Sequence, residues 1–363
     1  MRITNLKFPD GGINRLGFTI ALGAVGLLAS ALVCKSRKKL SGNYILNNGR
    51  KLPCIGLGTW KSKPGEVKKA VECALRAGYR HIDCAPVYGN QKEVGEAFAT
   101  VFSEGKLKRR QVFVCSKVFP KITADKFEQE CRNTLRELGL EYLDLYLIHW
   151  PLVDVASIKD MWAAMEQLLE KGLVKSIGVS NFSKKKLMEL MVNAKVVPAV
   201  NQVELHPNWR QDELFEYCSS KGIHLTAYCP LGSPDQFSPD GLNREATGPL
   251  PLQNSTVVSI AKECDKTAAQ VLLKWAVQRG TSVVPKSVTP ARIIQNFEAV
   301  QSWELSATHM KALNAFLPQY RLLHGAFHTG PKRTYKTLTE LWDEDVSYLE
   351  GRTFEKPTGF KLQ

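Results

Sequence analysis

Eight short apolar runs recur along this 363-residue chain, separated by stretches of helical periodicity. All but the first stop at a reactive or hydrogen-bonding residue. Asp83 follows the run 79–82, Lys117 follows 112–116, and His149 follows 142–148. Ser180 and Asn181 follow 176–179, Gln202 follows 199–201, Tyr228 follows 223–227, and Lys286 follows 282–285. The first run is 55–59. Between the runs, apolar residues keep the i, i+3, i+4, i+7 spacing of an amphipathic helix, as in Val67, Ala70, Val71, Ala74 and Leu75. Gly78, Gly139 and Gly172 follow three of these segments as helix stops. The segment 256–278 is expected to break near Asp265. Asn47-Asn48-Gly49 marks a hairpin ahead of the first run. Strand and helix alternating eight times predict an α/β fold, a (β/α)8 TIM barrel with an N-terminal β-hairpin. In such barrels catalytic residues come from the C-terminal ends of several strands, so the pattern points to an enzyme. A doubly wound open sheet is the alternative, but Gly56 and Gly58 lack the third glycine of a dinucleotide-binding turn.

Residues 16–34 form a 19-residue uncharged stretch bounded by Arg15 and by Lys35, Arg37, Lys38 and Lys39. A spanning helix needs about 20 apolar residues, so a single transmembrane helix is expected here. A cleaved signal peptide is the rival, with Ala29-Ser30-Ala31 as a small-residue site. Against it, signal h-regions run about 7–15 residues. The expected organisation is an N-terminal segment 1–15, the helix 16–34, a basic linker 35–43, a barrel 44–318 and a C-terminal loop and tail 319–363. Basic residues crowd the distal flank, which favours a catalytic domain facing the cytosol. Nine scattered cysteines without regular spacing fit free thiols in a reducing compartment. A secreted binding protein, which a cleaved leader would imply, fits them poorly.

The net charge is +14, and residues 1–40 hold seven basic residues against one acid. No zinc-finger spacing, recognition helix or aromatic RNA motif accompanies this surplus, so nucleic acid is not an expected partner. Lipid headgroups and a phosphate-rich cofactor account for it. The stretch 231–255, rich in Pro, Gly and Asn, follows the seventh run and is expected over the rim as a lid. Beyond Phe316 the chain is expected to leave the barrel, with a short helix near 337–348.

Asp83 and Lys117 close neighbouring runs and should meet in a half-buried site. Tyr88 lies five residues past Asp83 in the same loop. A free tyrosine has a pKa of about 10, and an adjacent ammonium lowers it and eases proton transfer. His149 supplies a ring N–H to hold a carbonyl oxygen. A carboxylate, a lysine, a tyrosine and a histidine carried by three successive strands and their loops make a carbonyl-protonating device. Lys286, Ser287, Thr289 and Arg292 cluster where the last strand of a barrel commonly binds phosphate, and two cations with two hydroxyls suit a 2′-phosphate. Trp60, Phe119 and Trp150 follow strand ends and should line an apolar substrate pocket.

These residues sit in motifs that resemble the aldo-keto reductases over residues 44–318. They are Gly-Leu-Gly-Thr-Trp at 56–60, Arg-His-Ile-Asp-Cys-Ala at 80–85, Ser-Lys at 116–117 and Asp-Leu-Tyr-Leu-Ile-His-Trp-Pro at 144–151. Gly-Val-Ser-Asn-Phe at 178–182, Val-Asn-Gln-Val-Glu-Leu-His-Pro at 200–207 and Pro-Lys-Ser-Val-Thr-Pro-Ala-Arg at 285–292 follow. The resemblance implies NADPH-dependent reduction of an aldehyde or ketone, with Asp83, Tyr88, Lys117 and His149 as a catalytic tetrad and Tyr88 as the general acid. It implies no metal and a monomeric barrel. Ser180, Asn181 and Gln202 would hold the nicotinamide amide, and Tyr228 would stack on its ring. Further NADP(H) contacts are implied for Gly58, Thr59, Trp60, Leu231, Ser233, Asp235, Lys286, Ser287, Val288, Thr289, Arg292, Gln295 and Asn296. Gln295 replaces an acid common in the family. Phe119 stands where many relatives have Trp, Cys229 replaces a common Ser, and residues 320–363 match no familiar ending. Besides the small-molecule carbonyl substrate, the membrane is the expected partner, through residues 16–34. A non-catalytic, cofactor-sensing subunit of a membrane complex is the other reading of the same pattern.

Overall fold

The computed structural model describes residues 42–232 and 250–346. The expected transmembrane stretch 16–34, most of the 231–255 loop, and Ser233 and Asp235 lie outside the described residues. Among the described residues no helix is long and apolar enough to cross a membrane.

A hairpin of β1 (Asn43–Ile45) and β2 (Lys51–Pro53) opens the described chain. Its turn closes as expected around Asn47-Asn48-Gly49, with Gly49 at φ 81 in the left-handed region. Eight parallel strands follow: β3 (Leu57–Gly58), β4 (His81–Asp83), β5 (Phe113–Val118), β6 (Leu145–Ile148), β7 (Ile177–Ser180), β8 (Val200–Glu204), β9 (His224–Tyr228) and β10 (Ser282–Val283). They pair in sequence order. Parallel bridges Ile55–Val283 and Gly58–Lys286 join the first strand to the last and close the barrel. Gly58 N donates to Pro285 O at 3.0 Å, and a Cβ there would stand 2.8 Å from Val284 O.

Helices α1 (Glu66–Ala77), α2 (Gln91–Ser103), α3 (Phe127–Leu138), α4 (Ile158–Glu170), α5 (Lys184–Asn193) and α6 (Asp212–Ser220) connect successive strands. The expected break near Asp265 separates α7 (Ser255–Glu263) from α8 (Ala268–Arg279), with Asp265 at φ 50. Then α9 (Pro290–Glu298) and α10 (Ala307–Asn314) complete the outer ring.

Strand pleating sends alternate side chains to opposite faces, and this decides what fills the barrel. Phe113 and Cys115 on β5, Leu145 and Leu147 on β6, and Val200 on β8 form one buried cluster with Leu46 and Leu52 of the hairpin. The hairpin thus plugs the N-terminal end of the barrel. Burying two leucines there contributes about 1.5–3 kcal/mol each. Gly178 on β7 is small because a Cβ would meet Val200 O at 2.5 Å and Leu147 Cδ2 at 2.8 Å. The same alternation carried to the other end points Asp83, Lys117, Ser180, Gln202 and Tyr228 inward at the C-terminal rim.

Two sequence expectations change. Lys117 and Gln202 are not strand terminators, since β5 runs on to Val118 and β8 to Glu204. The tail also does not leave the barrel at Phe316. Tyr320 N donates to Asn208 O at 2.7 Å, and Leu323, Leu341, Trp342 and Val346 pack with Trp150 and Leu152 over the rim. Of the helix expected at 337–348, α11 (Leu338–Trp342) forms.

Candidate active site

At the C-terminal rim, Lys117 Nζ donates to Asp83 Oδ1 at 2.6 Å, to Cys84 O at 3.0 Å and to the Tyr88 hydroxyl oxygen at 3.2 Å. Its side chain is fully buried. Burial pulls the ammonium's pKa down, but Asp83 and Tyr88 together outweigh it and the net shift is upward. Lys117 is therefore a permanent cation. Tyr88 sits on a short turn, Pro86–Tyr88, immediately beyond β4. Burial pushes its phenol above the usual range, and Lys117 only partly offsets this. The lowered phenol expected from the sequence is thus reversed, because desolvation exceeds the pull of one neighbouring charge. Tyr88 keeps its proton at neutral pH, the form a general acid requires.

His149 lies edge-on to Tyr88, ring centroids 5.7 Å apart. Burial first, then Lys117 and His328, hold its pKa well below the usual value, so the imidazole is neutral. Its buried Nδ1 makes no hydrogen bond among the described residues. The ring itself lines the cleft beside Tyr88.

Gln202 Nε2 donates to Asp83 Oδ2 at 2.8 Å, so Asp83 bridges Lys117 and Gln202. Ser180 Oγ donates to Gln202 O at 2.8 Å. Asn181 adopts φ 65, which turns its amide inward to donate to His149 O at 2.9 Å and accept from the Tyr228 hydroxyl at 2.6 Å. Thr59 Oγ1 donates to Asp83 O at 2.8 Å. Trp60 stacks on Tyr88 with centroids 6.3 Å apart.

A single cleft of ≈ 750 Å³ runs from Asp83, Tyr88 and His149 past Asn181, Gln202 and Tyr228 to Lys286, Arg292 and Asn296. Gly58, Thr59, Trp60, Trp150, Ser180, Leu231, Ser287, Val288, Thr289 and Gln295 line it as well. At the far end, Lys286 and Arg292 make no ion pair among the described residues. Thr289 takes the N-cap position of α9, yet its hydroxyl caps nothing. Two uncompensated cations, a spare hydroxyl and a helix N-terminus fit a phosphate group. Phe119 is the exception among the expected contacts. Its ring is not on the cleft wall but lies beside it, 5.8 Å from the His149 ring and 5.7 Å from that of His328, in the apolar cluster that also holds Trp60, Tyr228 and Phe327.

Several cleft residues were not anticipated. Lys61, Leu250, Leu252, Gln253, Thr267 and Ala269 line the cleft, as do Leu323 and Phe327 of the tail. Behind them stands Glu204, one inward position beyond Gln202. This buried carboxylate accepts Leu322 N at 2.6 Å and Leu323 N at 2.8 Å, and lies 3.0 Å from His206 Nε2. Burial opposes its charge, but His206, Arg321 and the backbone N–H win and its pKa is lowered. Arg321 stacks on Trp342 at 3.6 Å and pairs with Glu344. The alternation Val200, Gln202, Glu204 was a signal for the inward carboxylate; nothing local marked its partner.

A closed parallel barrel carrying a buried Asp–Lys–Tyr chain and a histidine at its C-terminal rim defines an oxidoreductase of carbonyl compounds. Comparison with known proteins is specific: the Aldo/keto reductase family model matches residues 54–318, and the chain belongs to that family. It is 46% identical over 297 residues to aldo-keto reductase family 1 member A1-A of Danio rerio, covering 76% of this chain and 90% of that protein. An aldo/keto reductase of Synechocystis sp. is 44% identical over 319 residues, 83% of this chain and 96% of the relative. The aldose reductase from Schistosoma japonicum superposes with a TM-score of 0.70 at 40% identity, covering 78% of this chain and 96% of that structure.

Proposed function

We propose that the protein reduces an aldehyde or ketone to an alcohol with NADPH. The observation that carries this reading is the continuity of one cleft from Tyr88 to the unpaired Lys286 and Arg292. NADPH, when bound, supplies the hydride; the chain does the rest. Lys286, Arg292, Ser287 and Thr289 take the 2′-phosphate, while Ser180, Asn181 and Gln202 hold the nicotinamide amide against Tyr228. His149, neutral, gives an N–H to the carbonyl oxygen and orients it. Tyr88 transfers its proton to that oxygen as charge develops. The N–H that Lys117 already points at the phenol oxygen strengthens as the phenolate forms, so stabilisation grows with the reaction. Trp60, Trp150, Leu323 and Phe327 exclude water. We also propose, from the sequence, that residues 16–34 hold the protein in a membrane.

The test is Tyr88→Phe. Turnover with NADPH and a panel of aldehydes should fall by about 10²–10⁴-fold, the usual contribution of a positioned acid, with NADPH affinity nearly unchanged. Full turnover in the variant would refute the assignment.

A further inference from the structure

Charge is unevenly spread over the described body. Every segment that enters a barrel strand lies at the N-terminal end of the barrel, opposite the cleft, and the hairpin crosses that end. Asn47 Nδ2 donates to Pro198 O at 3.0 Å, just before β8, and Asn48 Nδ2 to Ser176 Oγ at 2.9 Å, just before β7. Arg50 and Lys51 stand on the hairpin, and Lys106, Lys108 and Arg110 on the segment entering β5. Lys175, Lys195 and Lys221 stand on the segments entering β7, β8 and β9. None of these eight cations makes an ion pair among the described residues. Of the acids on the same segments, Glu104 pairs with Arg76 and Asp144 with Arg109, which leaves Glu141 alone. Residues 41–363 carry eight more cations than acids, so this end holds nearly the whole surplus.

We propose that the N-terminal end of the barrel docks on a bilayer of anionic phospholipid, with headgroup phosphates and carboxylates facing these cations. Ile45, 48% exposed on the hairpin, gives the patch an apolar tip for the headgroup boundary. The described chain begins at this end, where Cys54 N donates to Gly42 O at 2.9 Å. In the sequence it is preceded by Lys35, Arg37, Lys38 and Lys39 and by the uncharged stretch 16–34. Basic residues beside an apolar segment are attracted to anionic lipid by about fivefold in partitioning per residue. Nucleic acid fits less well. Tyr142, an aromatic on this face, already carries Arg109 at 4.1 Å and Lys175 at 5.2 Å over its ring, where a base would have to stack. Docked this way, the protein keeps its cleft turned towards solvent. The proposal does not rest on the reductase assignment, since none of these cations borders the cleft.

Hydrogen exchange of the full-length chain, reconstituted in phosphatidylcholine vesicles with and without phosphatidylserine, tests it. Exchange over 43–53 and 104–112 should slow several-fold when phosphatidylserine is present, and the effect should vanish at roughly 0.5 M salt, where charges are screened within a few ångströms. A variant carrying Lys51→Glu, Lys108→Glu, Arg110→Glu and Lys195→Glu should lose the lipid effect and keep its carbonyl turnover. Equal exchange in both vesicles, or a lipid effect that survives in the variant, overturns the proposal. So does tighter binding of the wild type to a DNA duplex than to phosphatidylserine vesicles.

Discussion

Individual side chains in this molecule are set by a competition between burial and charge, and Tyr88 shows which wins. Lys117 lies 3.2 Å from its oxygen, yet desolvation keeps the phenol protonated. Sequence spacing brought these two residues together correctly, but the sign of the shift depends on how much water the fold removes, which spacing does not encode. At the other end of the cleft the balance is simpler. Lys286 is half-buried and Arg292 exposed, and neither has a counter-ion among the described residues. The double variant Lys286→Ala/Arg292→Ala should lose NADPH affinity far more than NADH affinity, because a charged hydrogen bond contributes roughly 1.5–3 kcal/mol. Equilibrium titration of both cofactors checks this; parallel losses would remove the 2′-phosphate from the account.

Among the elements, the strands and helices were legible because each obeys a local rule: period two inside, period 3.6 outside, glycine at the ends. That Asp83, Lys117 and His149 meet at the rim was legible for the same reason, since alternation along β4, β5 and β6 fixes which residues reach it; Tyr88 joins them from the turn after β4. The tail was not. Part of its hold on the barrel is a pair of N–H groups, those of Leu322 and Leu323, on Glu204, more than a hundred residues away in sequence, and no local pattern in 319–346 announces a distant carboxylate. Glu204→Gln keeps the shape but removes the charge and turns one of the two acceptor oxygens into an NH2 group, so one of the two backbone N–H groups loses its acceptor. The tail should then open, seen as faster proteolysis within 320–346 and a shifted KM for bulky carbonyls at unchanged NADPH affinity. Unaltered proteolysis and KM would mean the apolar cluster around Trp150 and the other tail contacts hold it without Glu204.

For the whole molecule, buried histidines set the response to acid. Burial depresses His81 to about 4, His324 to about 4 and His328 to about 3, and holds His149 well below its usual range. An unfolded histidine titrates near 6.5. Above that pH both states are neutral and these groups contribute nothing. Below it the unfolded chain takes protons that the native state refuses, so stability falls as pH drops from about 6.5 towards 4. His81 alone accounts for up to about 3 kcal/mol of that loss at the bottom of the window. Urea unfolding at the two ends of the range should show a smaller drop for His81→Leu than for the wild type. The same drop in both proteins would place the acid sensitivity elsewhere.

Asp83 divides its two oxygens between the ammonium that steadies the phenol and the amide of Gln202. In the proposed mechanism one carboxylate therefore serves both the proton-donating phenol, through Lys117, and Gln202, proposed to hold the nicotinamide. On that proposal, a change that repositions Asp83 to speed proton delivery also shifts Gln202, and tightening the hold of Gln202 pulls on the proton donor. The two tasks form a single trait under selection. Variation that adapts this enzyme to new carbonyls has its free ground away from that carboxylate, in the tail and the loops around the rim.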